Sequence, residues 1–250
     1  MRKPLMAGNW KMNKTVAEAV SVVKALKSSI ADVTDVEVLI CPTFTALYAV
    51  NNEVKGSNIN IGAQNLFWEP KGAFTGEISP TMVKDTGCSY VLIGHSERRQ
   101  YFNETDETVN KKTKAALVAG LIPVICIGET LKEREQNITF KVIEKQIKEG
   151  LAGLTPQQAE TIVIAYEPVW AIGTGKTATP DQAQEVHAFT RKVYSQMYGD
   201  ASQKVRILYG GSVNPTNVSD LMKQPDIDGG LVGGASLEAE SFTKLVKYSK

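Results

Sequence analysis

The chain has 250 residues, 42% of them hydrophobic and 22% charged, with a net charge of +1. That composition supplies the apolar mass for a sizeable core and suits one large domain, residues 1–250. The near-zero charge offers no general basic field, so neither nucleic acid nor a membrane surface is expected as a partner, and any bound anion must be held by local geometry. No stretch approaches the roughly 18 apolar residues of a membrane span. The amino end, Met1-Arg2-Lys3-Pro4-Leu5, shows no apolar run of the kind a secretory leader needs. Cys41, Cys88 and Cys126 are odd in number, far apart and form no CxxC pair. They read as reduced thiols of a cytoplasmic protein, and with two scattered histidines they offer no metal-ligand spacing.

Taken in order, short apolar runs alternate with longer segments of helical period. The runs are Leu5–Gly8, Val36–Cys41, Asn60–Ala63, Tyr90–Ile93, Ile122–Ile127, Ile162–Ala165, Val205–Leu208 and Gly230–Val232. They are nearly continuous in apolar or small residues, as strands of a parallel sheet buried on both faces should be. Between them, Thr15 with Glu18 three residues on is a capping box. Thr105 precedes the acids Asp106 and Glu107, and that segment stops at Gly120. Residues 133–151 and 217–222 read as helical, and residues 200–203 as a polar break. Thr179-Pro180 reads as a helix cap and first helical position. About eight strand–helix units of ~31 residues match a (β/α)8 barrel. The rival, an open doubly wound sheet, usually carries a GxGxxG turn, and Gly8-Asn9-Trp10-Lys11 is none.

Two loops stand out. Gln64 to Glu77 is long and irregular and carries Leu66, Phe67, Trp68 and Phe74. A loop of that length is usually functional, and exposed apolar residues on it favour a subunit interface over folding onto its own barrel. The other begins at Glu167, where a strand ends and Pro168 biases the carboxylate toward extended backbone. The segment Pro168-Val169-Trp170-Ala171-Ile172-Gly173-Thr174-Gly175-Lys176-Thr177-Ala178 then reads as a lid with hinges at both ends. Gly173 to Thr177 mimics the end of a P-loop, but Trp170 stands where that pattern needs glycine.

In a barrel, reactive groups sit just past the C-terminal ends of strands. Those positions hold Asn9 and Lys11 after the first run, His95, Ser96 and Glu97 after the fourth, and Glu167 after the sixth. Gly210-Gly211-Ser212 follows the seventh and Gly233-Gly234-Ala235-Ser236 the eighth. Glu167 can take a proton, His95 can donate a hydrogen bond, and Lys11 supplies positive charge. The two glycine clusters expose backbone N–H groups suited to phosphate, the second leading into a helix near Leu237. Singly, each has a plain structural reading: a solvated lysine, a satisfied histidine, a turn glutamate, tight-turn glycines. Their coincidence at one end of different strands is what favours chemistry. His187 reads as structural, Arg98 and Arg99 as surface or interface charges, and Cys126 as core packing.

These motifs resemble triosephosphate isomerase along the whole chain. They are Gly8-Asn9-Trp10-Lys11-Met12-Asn13, Gly94-His95-Ser96-Glu97-Arg98-Arg99, Ala165 through Gly175, Tyr209-Gly210-Gly211-Ser212-Val213 and Val232-Gly233-Gly234-Ala235-Ser236-Leu237. The resemblance implies interconversion of dihydroxyacetone phosphate and D-glyceraldehyde 3-phosphate, in glycolysis and gluconeogenesis, with no cofactor. It implies Glu167 as base, His95 as electrophile, Lys11 as electrostatic partner and Glu97 as a supporting acid. Asn9, Lys11, Gly173, Ser212, Gly233 and Gly234 would surround the substrate. It also implies a homodimer in which the loop of Gln64 and Thr75 reaches toward the neighbour's site. A helical turn after His95 is expected to lower the imidazole pKa and keep it neutral, the arrangement known in that family. Another phosphosugar enzyme on the same barrel, or a barrel with an added binding role, remains the alternative.

Overall fold

Each apolar run becomes a strand because β-branched and small residues there can pack on both faces. The computed structural model describes residues 2–172 and 177–248. The strands are β1 (Leu5–Asn9), β2 (Glu37–Cys41), β3 (Ile59–Ala63), β4 (Tyr90–Ile93), β5 (Ile122–Ile127), β6 (Val163–Tyr166), β7 (Arg206–Tyr209) and β8 (Gly229–Val232). All pair in parallel and in chain order, and β8 closes on β1 with Leu5 opposite Gly229. Closure settles the choice between barrel and open sheet. The helices are α1 (Val16–Ser29), α2 (Leu47–Val54), α3 (Pro80–Asp85), α4 (Ser96–Tyr101), α5 (Asp106–Val118) and α6 (Leu131–Glu135). They continue with α7 (Thr139–Gly150), α8 (Pro156–Ala159), α9 (Pro180–Tyr198), α10 (Val218–Met222) and α11 (Ala239–Val246).

Side chains alternate across the sheet. Leu5, Ala7, Leu39, Cys41, Leu92 and Cys126 belong to a cluster that fills the barrel. Met6, Val38, Ile40, Ile125 and Ile164 belong to the larger layer between strands and helices. The N-terminal mouth is stoppered by polar groups. Arg206, on β7, pairs with Glu37 of β2 at 2.5 Å and donates to the Tyr90 hydroxyl of β4 at 3.0 Å. Tyr90 in turn donates to Glu37. Burial pushes the Tyr90 hydroxyl up to about 12, so it stays a neutral donor.

Local signals account for the helix starts. The Thr15–Glu18 capping box forms as expected, and so do the Thr105 and Thr179 caps. Residues 133–151 are not one helix: α6 and α7 separate around Asn137, which adopts φ +56. The polar break at 200–203 is a 3-10 turn, Gly199–Gln203. Past β8 a 3-10 turn, Gly234–Ser236, precedes α11, which starts at Ala239, close to the expected Leu237.

The Gln64–Glu77 loop divides in two. Leu66 is fully buried, and Phe67 stacks on Trp68 and Phe74 with ring centres 4.1 and 4.7 Å away. Leu66 thus ties this part of the loop to its own barrel, while the three rings pack on one another. Phe74 and Thr75 remain exposed at the tip.

Candidate active site

The C-terminal mouth brings five strand ends, those of β1, β4, β6, β7 and β8, around a cavity of about 490 Å³. Asn9, Lys11, His95, Glu167, Ile172, Ser212, Gly233 and Gly234 all line it. On β1, the Asn9 side chain accepts the Lys11 N–H at 3.0 Å. Lys11 sits at φ +53, a left-handed conformation that side-chain-bearing residues rarely take, and this bond helps hold it there. Gln64 turns inward and donates to the carbonyls of Lys11 and Cys41, at 2.9 Å each. It thus braces the Lys11 backbone within its own chain, while Thr75 of the same loop is exposed. The Lys11 ammonium reaches Glu97 at 2.5 Å.

After β4 the chain turns directly into α4, with His95 as its N-cap. The Glu97 N–H donates to His95 Nδ1 at 3.2 Å. On the other edge of the ring, Nε2 meets Glu167 Oε1 at 2.9 Å. An amide at Nδ1 demands an acceptor and a carboxylate at Nε2 demands a donor. The neutral tautomer with its proton on Nε2 satisfies both. The expected lowering of the His95 pKa is nonetheless not what this arrangement gives. Burial lowers it, but the charge and hydrogen bond of Glu167, with Glu97 behind, outweigh burial and draw it upward. Glu167 moves the opposite way. Burial raises its pKa, yet His95, the Ser96 N–H at 3.1 Å and Lys11 together hold it below the ordinary carboxylate value.

Glu167 is only 2% exposed, and its backbone is fixed before its side chain is considered. Its N–H donates to Ile127 at 2.7 Å, continuing the β5–β6 ladder one residue past the strand. A Cβ on Gly210 would stand 2.8 Å from Glu167 Cγ, so glycine there leaves room for the carboxylate. Gly233 lies beside the Lys11 side chain, with nothing nearer to its Cβ position than Lys11 Cε at 3.6 Å. Gly234 has nothing within 4 Å, so the backbone of both can be approached closely from the cavity. Pro168 is followed by a 3-10 turn, Val169–Ala171, and Ile172 reaches the cavity wall. Of the remaining expected lid residues, Gly173, Thr174, Gly175 and Lys176 lie outside the described residues. Thr177 is exposed and Ala178 buried.

The profile of the triosephosphate isomerase family matches residues 4–249. A triosephosphate isomerase of Endomicrobium trichonymphae is 78% identical over 250 residues, covering all of both chains. One from Geotalea uraniireducens is 57% identical over 251 residues, again with full coverage. The crystal structure of triosephosphate isomerase from Bartonella henselae superposes with a TM-score of 0.90 at 41% identity, covering 98% of each chain. The chain belongs to the triosephosphate isomerase family.

Several residues that shape this family member's site were not singled out by sequence. Glu129, just past β5, is fully buried. Its Oε1 accepts from the Trp170 indole at 2.9 Å and from the Tyr166 hydroxyl at 3.2 Å, while Arg134 pairs with it at 3.2 Å. Its carbonyl takes the Val169 N–H at 3.1 Å. The turn that follows Glu167, the near end of the expected lid, is therefore anchored to a carboxylate one strand away. The signal was available, since Glu129 follows an apolar run as Glu167 does. Arg98 and Arg99 are half-buried, not free surface charges. Arg98 pairs with buried Glu104 at 2.8 Å, and Arg99 donates to the Gly94 carbonyl at 2.8 Å and pairs with Asp106 at 2.6 Å. Glu104 itself accepts the Gly94 N–H, so Glu104 and Arg99 grip the residue before His95, and Arg98 supports it through Glu104. Cys126 is buried in the barrel, and burial pushes its thiol pKa well up, as packing predicts.

Proposed function

We propose that the chain interconverts dihydroxyacetone phosphate and D-glyceraldehyde 3-phosphate, and that Glu167, His95 and Lys11 carry the reaction. One observation supports this most directly: a carboxylate, an Nε2–H imidazole and an ammonium from three strand ends line a single small cavity. The reaction moves a proton from the carbon beside a carbonyl to the carbonyl carbon itself. Glu167 takes the proton from one carbon, leaving an enediolate, and returns it to the neighbouring carbon, while His95 gives its Nε2 proton to the oxygen that becomes the hydroxyl and recovers one from the oxygen that becomes the carbonyl. To do so its carboxylate leaves His95 and turns toward the substrate, which frees the Nε2–H. That N–H and the Lys11 ammonium then face the oxygen on which negative charge grows. Preorganised donors of this kind contribute about 3–4 kcal/mol each. Once Glu167 turns away, the pull that raises the His95 pKa weakens, and the Glu97 amide on Nδ1 favours the neutral ring. Glu97 holds Lys11 in place.

The phosphate is seated by backbone N–H groups around Ser212, Gly233 and Gly234, where missing side chains permit close approach. Because the phosphate does not react, its binding energy can draw the Pro168–Ala178 lid closed and exclude water. Assembly as a cytoplasmic homodimer is part of the same reading. The large apolar side chains left exposed include Met12, Tyr48, Phe74, Met82, Tyr101 and Phe102. All come from segments that follow the neighbouring strands β1 to β4, so they gather toward one side of the barrel, where a second copy would cover them.

A coupled assay tests the proposal: glyceraldehyde 3-phosphate is supplied, and the ketone product is trapped by an NADH-dependent dehydrogenase, with chelator present. Turnover is expected without added cofactor. Glu167→Asp retracts the carboxylate by one methylene, and a misplacement of about 1 Å costs roughly 10²-fold in rate. An inactive wild type, or a variant with near-normal kcat, refutes the assignment.

A further inference from the structure

We propose that Gln146, on α7, is a positioning residue for Glu167, acting through Gly128. The inference rests on Glu167 being the base. The backbone from Glu167 to Val169 runs beside that from Ile127 to Glu129. Ile127 accepts the Glu167 N–H and Glu129 accepts the Val169 N–H, at 2.7 and 3.1 Å. Gly128, between these two contacts, touches the base directly. A Cβ there would stand 1.8 Å from the Glu167 carbonyl oxygen and 2.7 Å from its carbonyl carbon. The Glu167 peptide occupies the space a side chain at 128 would need.

Glycine is also the residue whose peptide is least constrained to stay put. It is held by one side chain. Gln146 Oε1 accepts the Gly128 N–H at 2.8 Å, and Gln146 Nε2 donates to the Gly128 carbonyl at 3.1 Å. The primary amide thus bonds both groups of one residue, as a neighbouring strand would. Ile143 and Ile147 on the same helix are buried and fix where α7 lies. Gly128 borders a cavity of about 920 Å³, lined also by Gln146, Glu167 and Trp170 among others. Open space on that side supplies no packing to restrain the Gly128 peptide, which leaves the task to the amide. Losing the amide lets this peptide rotate, and the Glu167 backbone shifts with it.

The test uses Gln146→Leu, similar in size and without hydrogen bonds, in the full-length enzyme. Gln146→Glu, which keeps the acceptor for the Gly128 N–H, carries the same test if the leucine variant does not accumulate folded. Kinetics in both directions, inhibition by inorganic phosphate and thermal unfolding are measured. A shift of the carboxylate by a fraction of an ångström up to about 1 Å predicts a fall in kcat of roughly 10- to 100-fold. KM and the phosphate inhibition constant stay within about twofold, because the phosphate seat lies on β7 and β8, away from Gly128. A kcat within twofold of wild type overturns the proposal. So does a parallel loss of kcat, phosphate binding and folded fraction, which would mark Gln146 as structural only. If wild type is active and Glu167→Asp impaired while Gln146→Leu is not, the positioning role falls and the base stands. If Glu167→Asp is unimpaired, the base assignment falls first.

Discussion

His187 makes acid stability calculable. It is fully buried on α9, edge-on to Tyr166 with ring centres 5.8 Å apart and 6.3 Å from Tyr209. Its Nδ1 lies 3.2 Å from the Asp226 carbonyl, so Nδ1 is the donor and Nε2 the lone pair. Nε2 has no partner among the described residues. Burial, with Arg191 nearby, lowers its pKa from 6.5 to about 4, against weaker opposing pulls from Asp226. As pH falls below 6.5 the unfolded chain takes up a proton that the folded chain refuses. Stability is therefore lost between about pH 6.5 and 4 and levels off below. At pH 5 the unfolded group is 1.5 units below its pKa, and at about 1.4 kcal/mol per unit the loss is about 2 kcal/mol. His187→Gln keeps a donor for Asp226 and removes the titration. Urea unfolding of both proteins at pH 7.5 and 5, at equal protein concentration, should show wild type losing about 2 kcal/mol more than the variant across that interval. Parallel losses refute the reasoning.

Three further outcomes are expected. Arg191 pairs with Asp226 and Asp228 at 2.6 and 2.7 Å and donates to the carbonyls of Ser202 and Val205. Arg191→Ala leaves a buried carboxylate short of its partner and should cost about 3–5 kcal/mol by denaturant unfolding; a loss under 1 kcal/mol contradicts this. Met12 is 94% exposed, so Met12→Arg costs nothing within the chain. It should shift the protein toward monomer in sedimentation velocity, and an unchanged species counts against that face as the dimer contact. Deleting residues 172–175 should leave the fold intact but release methylglyoxal by phosphate elimination, detectable by trapping the dicarbonyl; clean isomerisation argues against the lid.

Much of the fold was legible because burial on both faces writes the strands as unbroken apolar runs. The ends of β6 and β7 fell one residue later than those runs, and β8 began one residue earlier, since Tyr166, Tyr209 and Gly229 join the ladders despite interrupting the aliphatic pattern. The short helices α3 and α8 went unread although Ser79-Pro80 and Thr155-Pro156 are plain starts. At four and six residues they offer too little period to detect. Lys11, His95 and Glu167 were readable because each stands at the same end of its strand. Gln146 was not, because it lies mid-helix and acts on a backbone far away in sequence. The direction of the His95 pKa shift was misjudged for a related reason: its sign depends on where Glu167 rests, which is tertiary information.

The Glu37–Tyr90–Arg206 stopper has a consequence for solvent. A tube open at both ends would let water reach the enediolate from below, whatever covered it above. With the interior filled by the cluster around Leu39 and Leu92, and its lower end corked by a charge pair and a neutral phenol, the reaction chamber is a blind well. A single flap at its rim is then enough to keep it dry.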